Sequence, residues 1–216
     1  MRAAEEAWFE HWKQGPRRLT WSTLPAQIGD EAPDFELENS SGMPVRLREF
    51  WKEGPALLLF WRHYGCGCGM DRAGRLRGEY EGYVEAGASV VVIGQGEPER
   101  AAAYAAKYEL PCPVLCDPEQ KVYDAYGLLD FQAAEVLYDA PEDLQRRDLQ
   151  AGIRFADARR EQGRPLVDSP WQRPGEFVVD RGGILFLTYR YQYCEDYPDP
   201  RVLVTAIRAA GRSLDE

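Results

Sequence analysis

Cys66 and Cys68 stand in the run Tyr-Gly-Cys-Gly-Cys-Gly-Met, between an apolar stretch from Ala56 to Trp61 and a candidate helix from about Met70. Only the thiolate is a good nucleophile, and helix N-termini favour it through unpaired N–H groups and the positive end of the dipole. Two thiols interleaved with glycines 65, 67 and 69 make poor core filler. The glycines are expected to leave the turn open to a small oxidant or a partner disulfide. Arg62 and His63 stand just upstream, and Arg62 is a candidate to stabilise a thiolate. Redox chemistry is the leading expectation. Metal binding is the competing one, since His63, Cys66 and Cys68 offer three ligands. Zinc sites usually show paired Cys-x-x-Cys or His spacings, however, and the only other histidine is His11. No metal is expected.

The elements that position this turn follow from the patterning. Asp34 to Glu38 alternates and reads as an edge strand, with Val45 to Leu47 pairing back as a hairpin. The apolar run 56–61 reads as a buried strand, then come a helix over about 70–86 and the β-branched strand 88–94. Pro98 opens the next helix at a favoured first position, followed by a short strand over 112–116 and a helix from Pro118 to Tyr126 stopped by Gly127. This alternation of strands and helices implies an α/β sheet. Residues 130–170 break the rhythm with a polar, helix-prone insertion. A strand over 176–180, a tight turn, an alternating strand over 184–193 and a helix from Pro200 complete the chain. Residues 1–14 suit an amphipathic helix whose Trp8 and Trp12, with Trp21 further on, are expected to dock on the body. Residues 1–27 therefore read as a helical extension and 28–212 as one domain. Self-association through those aromatics, giving a homodimer, is the alternative.

The bulk properties narrow the partners. The 216 residues carry a net charge of −10 and 44% hydrophobic residues, an ordinary composition for a folded domain. An acidic body does not attract nucleic acid or an anionic membrane, so neither is expected as a partner. No run of about 18 apolar residues suggests a membrane span. Five cysteines, an odd number, without an export signal point to a reducing cytoplasm.

Four segments carry a family resemblance: Gly-Asp-Glu-Ala-Pro-Asp-Phe-Glu-Leu (29–37), Arg-His-Tyr-Gly-Cys (62–66), the stretch 110–128 that includes Asp-Pro-Glu-Gln-Lys-Val-Tyr-Asp-Ala-Tyr-Gly-Leu, and Pro-Gly-Glu-Phe-Val-Val-Asp-Arg-Gly-Gly (174–183). Together they resemble the peroxiredoxin-like, alkyl hydroperoxide reductase/thiol-specific antioxidant branch of the thioredoxin-fold superfamily. The likeness runs from about Ile28 to Ala210. It implies a thioredoxin-like, peroxiredoxin-type fold, a central mixed sheet flanked by helices. The turn looks most like that of members bearing Gly-Cys-x-x-Cys. Matching Arg-His-x-Gly-Cys places the nucleophile at Cys66, while alignment on Thr-x-x-Cys would place it at Cys68.

Two positions depart from the family pattern. The second cysteine falls at 68, where the Gly-Cys-x-x-Cys members have theirs at the position of Gly69. Residues two apart in a helix point to different faces, so a Cys66–Cys68 bridge needs a non-helical turn there. Conventional members also place a peroxide-polarising arginine three residues before the phenylalanine of the late strand. Here that position is Pro174, with Arg173 one residue earlier. Disulfide reductases of this superfamily carry a cis-proline at that place.

The resemblance implies a cytoplasmic thiol peroxidase in which Cys66 attacks peroxide, Cys68 resolves it and Arg62 favours the anion, with His63 beside them. It needs no organic cofactor or metal. A small peroxide is the substrate and an external thiol or thioredoxin-like protein the electron donor. The alternatives are a thiol–disulfide oxidoreductase acting on protein disulfides and a non-catalytic redox sensor. Cys112 and Cys116 read as core filler. Cys194 follows the last strand with acids on its heels, which should dull it, yet it could resolve Cys66 if its loop folds back.

Overall fold

The strand β3, Ala56–Phe60, is buried at every residue and lies inside one seven-stranded sheet. The other strands are β1 (Glu36–Asn39), β2 (Pro44–Arg46), β4 (Ser89–Gly94), β5 (Val114–Cys116), β6 (Gly175–Val179) and β7 (Leu185–Arg190), in the spatial order β2-β1-β5-β4-β3-β6-β7. The computed structural model describes residues 10, 13–132, 135, 142–164 and 168–212. Its helices, among the described residues, are α1 (Gly67–Glu85), α2 (Pro98–Tyr108), α3 (Lys121–Ala125), α4 (Glu142–Glu161) and α5 (Pro200–Arg212). Pairing is parallel along β3, β4 and β5, and antiparallel between β3 and β6 and between β6 and β7. The crossovers that parallel pairing requires are α1 and α2. This is the thioredoxin-like mixed sheet that the sequence led us to expect.

Period-two alternation sorts the core onto two faces. Leu57, Leu59, Val90 and Val92 meet Leu76 and Tyr83 of α1, Tyr104 of α2, and Leu203 and Ile207 of α5. Leu58, Phe60, Val91 and Ile93 meet Val122 and Tyr123 of α3, with Tyr126 and Phe177. Helix α1 contains five glycines, so its intrinsic propensity is poor and tertiary packing must hold it. Ala73, Leu76 and Tyr83 are wholly buried, and Arg72 binds Glu79 at 2.7 Å and Glu176 of β6 at 2.9 Å.

Several boundaries differ from expectation. Strand β1 is not an edge: β2 takes the edge at Leu37↔Val45, and β5 occupies the other side at Glu38↔Cys116. The sheet's last strand stops at Arg190, because Tyr191 turns inward beneath the cysteine turn. Helix α3 is shorter than read; the Asp117 carboxylate accepts the N–H groups of Lys121, Val122 and Tyr123 and so sets its start. Gly127 does follow it with φ +68°. The helix expected over 1–14 lies outside the described residues except for 10, 13 and 14, as do Trp8 and Trp12. Trp21 does dock, donating its ring N–H to the Gly127 carbonyl at 2.9 Å.

Candidate active site

The chain leaves β3 through Trp61 and reaches Cys66 over four residues that are pinned in turn. The Tyr123 hydroxyl sits between the carbonyls of Trp61 and Ile93, at 2.6 and 2.9 Å. The Trp61 ring N–H donates to the Tyr104 hydroxyl at 3.0 Å. Tyr64 stacks on Tyr104 with ring centroids 4.6 Å apart and lies against Gly94, where an added Cβ would come within 2.7 Å of its ring. The Tyr64 N–H donates to Asp168, whose carboxylate also accepts two N–H groups of Arg100 at 2.7 and 2.8 Å. Burial raises the pKa of Asp168, but the Arg100 guanidinium, and then the charge of His63, outweigh it and hold the carboxyl below its ordinary range. His63 is thus buried beside a paired carboxylate.

Helix α1 begins at Gly67, three residues before the expected start. Cys66 is its N-cap, with extended backbone at φ −67°, ψ 131°, and the Cys66 carbonyl accepts the first helical bond from Met70 at 3.1 Å. Gly67 and Gly69 occupy the first turn without breaking it, because tertiary contacts rather than propensity fix the helix. Cys66 stands outside the helix and Cys68 inside it. This removes the facing problem that a wholly helical Cys-x-Cys would have. The two form a disulfide, with Cα atoms 5.4 Å apart.

Arg62 organises the sulfurs. It is 2% exposed, and one guanidinium nitrogen, Nη1, lies 3.0 Å from Sγ of Cys66, 3.0 Å from Sγ of Cys194 and 3.7 Å from Sγ of Cys68. Its Nη2 donates to the Pro170 carbonyl. The loop after β7 therefore does fold back onto the turn. Phe131, Trp171 and Tyr191 pack over the sulfurs, leaving Cys66 1% exposed and Cys68 and Cys194 3% each. The turn is not open, contrary to what its glycines suggested, since residues distant in sequence close over it. A cavity of about 20 Å³, room for one water-sized molecule, remains among Arg62, Cys68, Pro174 and Cys194.

Pro174 thus lies at the site, and its peptide bond with Arg173 is trans, like every described peptide bond. Arg173 points elsewhere. It donates to the Asp130 carbonyl at 3.0 Å and forms an ion pair with Glu135 at 2.8 Å. Cys112 and Cys116 are buried in the core, and burial pushes both thiols up to about 12. Among the described residues no cluster of three or more histidine, cysteine or acidic side chains is placed to hold a metal ion.

Sequence reasoning missed the surroundings of the cysteines. Glu176 accepts from Arg72 at 2.9 Å and from the Tyr191 hydroxyl at 2.5 Å, directly behind the turn. An acid in the otherwise apolar Gly175–Val179 was the available signal. Phe131 and Asp168, near the two ends of the polar insertion, and Trp171 just after it gave none.

The fold and this turn together define a thioredoxin-fold protein with a dithiol at the N-terminus of helix α1. The chain belongs to the AhpC/TSA family, whose model matches residues 28–186. It is 33% identical over 106 residues to the thiol-disulfide oxidoreductase ResA of Halalkalibacterium halodurans, covering 48% of this chain and 58% of the relative. It is 36% identical over 100 residues to the chloroplastic peroxiredoxin Q of Arabidopsis thaliana, covering 46% of each. The chain spans about half the length of the curated relatives it matches. The crystal structure of peroxidoxin BcpB from Mycobacterium tuberculosis superposes with a TM-score of 0.60 at 19% identity, covering 85% of this chain and 97% of that one.

Proposed function

We propose that this protein is a thiol peroxidase in which Cys66 attacks a small peroxide. The observation that carries this reading is the closure of the site. Cys66 is buried against the Arg62 guanidinium, and a cavity that admits a water-sized molecule lies beside its disulfide partner Cys68. The Cys66 thiolate displaces water from the peroxide and becomes sulfenic acid; Cys68 then expels a second oxygen as water and forms the bridge. Arg62 stabilises the attacking anion. Electrons return from an external thiol or thioredoxin-like donor. Relatives that include both peroxiredoxins and a thiol-disulfide oxidoreductase support a thiol redox role. The buried thiols Cys112 and Cys116 suit a reducing compartment such as the cytoplasm.

The test is the intact mass after one equivalent of hydrogen peroxide. The reduced wild type should lose about 2 Da as a disulfide forms, and a sulfenic-acid trap added with the peroxide should capture Cys66. Cys66→Ser should not react on that timescale. Rapid oxidation of Cys66→Ser at Cys68 would move the nucleophile to Cys68 and reject this assignment.

A further inference from the structure

Cys194 stands 128 residues after Cys66 in sequence, yet its sulfur shares one nitrogen with that of Cys66. Both lie 3.0 Å from Nη1 of Arg62, so they are at most about 6 Å apart, twice that distance. The sulfur of Cys68, at 3.7 Å, belongs to the same group. A guanidinium that serves only the nucleophile has no need of a third sulfur.

We infer that Cys194 is a third redox cysteine, which takes over the disulfide by thiol–disulfide exchange and frees Cys66. Cys194 gives up its proton and its sulfur attacks Sγ of Cys68. The Cys66–Cys68 bond breaks as a Cys68–Cys194 bond forms, and the electron pair leaves on Cys66 as thiolate. The proton lost by Cys194 balances the charge, and the two oxidising equivalents only change place. In such an exchange negative charge resides chiefly on the entering and leaving sulfurs, and a stabilised leaving thiolate departs faster. The Arg62 nitrogen is nearest to those two sulfurs and farther from the one attacked, which selects Cys68 as the point of attack.

The exchange also moves the bridge onto the loop after β7. Cys66 is sealed beneath Trp171 and Phe131, whereas Cys194 belongs to the loop after β7, where Gln192 and Tyr193 are exposed. Only the peroxide step that creates the first bridge rests on the function proposed above.

The experiment is a disulfide map of the full chain. Reduced protein is treated with excess hydrogen peroxide, acid-quenched, alkylated under denaturation and digested without reductant, and fragmentation assigns each bridged cysteine. The expected result is a Cys68–Cys194 bridge and rapid consumption of two equivalents of peroxide, the second leaving Cys66 as sulfenic acid. Cys194→Ser and Cys194→Ala should each stop at one equivalent with a Cys66–Cys68 bridge. A wild type that stops at one equivalent, with Cys66–Cys68 as its only bridge and Cys194 alkylated, overturns the inference. So does a Cys66–Cys194 bridge, which would mean direct resolution without exchange. The same map after diamide oxidation needs no peroxide chemistry. If peroxide leaves all thiols reduced while diamide gives Cys68–Cys194, the peroxidase reading fails and the exchange stands; Cys66–Cys68 alone after diamide sinks the exchange.

Discussion

Replacing Arg62 by methionine keeps much of its buried bulk and takes away the cation that Cys66 and Cys194 share. An opposite charge within hydrogen-bond reach changes the thiolate fraction by about tenfold or more near neutral pH. Reduced Arg62→Met should therefore be alkylated by iodoacetamide at Cys66 about tenfold more slowly than wild type at pH 6.5. Cys112 and Cys116, held up to about 12 by burial, should stay unlabelled in both proteins. Equal rates at Cys66 would show that the guanidinium does not stabilise the thiolate. The grouping of Arg62 with Cys66 and Cys68 was legible in the sequence because one short turn carries all three, whereas His63, on the same turn, lies toward Asp168. Cys194 was legible only as a remote option. Its acidic neighbours in sequence argued for a dull thiol, and nothing local showed that the fold would set its sulfur on Arg62.

The first turn of α1 depends on elements that the eye does not connect along the chain. Arg72 ties the helix to Glu176 of β6, and Glu176 in turn accepts from Tyr191, which covers the sulfurs. Removing one partner of a buried ion pair costs about 3–5 kcal/mol, because the other charge stays buried. Arg72 keeps Glu79, so Glu176→Leu should sit at the lower end, about 3 kcal/mol in urea unfolding. Adding Arg72→Met should recover part of that loss. Strictly additive losses would mean that the two side chains do not act as a pair. The strands β3 and β4 were readable because their apolar runs are long and β-branched or leucine-rich. The start of α1 was not: glycine at 67 and 69 argues locally against helix, and only the packing of Ala73, Leu76 and Tyr83 reverses that.

For the whole molecule, the order of strands and helices sufficed to anticipate a thioredoxin-like sheet, and residues 28–186 place it in the AhpC/TSA family. What order could not convey was closure. Residues from three distant places, Phe131, Trp171 and Tyr191, shut a turn whose own glycines suggested access. Closure favours the peroxidase reading, since a small neutral peroxide needs far less room than a protein disulfide. The net charge of −10 likewise does nothing to repel neutral peroxide. The most direct measurement compares two turnovers of the same preparation: hydrogen peroxide reduction with a dithiol donor, and reduction of insulin disulfides. The expected result is peroxide turnover that disappears in Cys66→Ser, with insulin reduction no faster than the donor alone. Ready reduction of insulin by a wild type whose thiols survive peroxide untouched would contradict it.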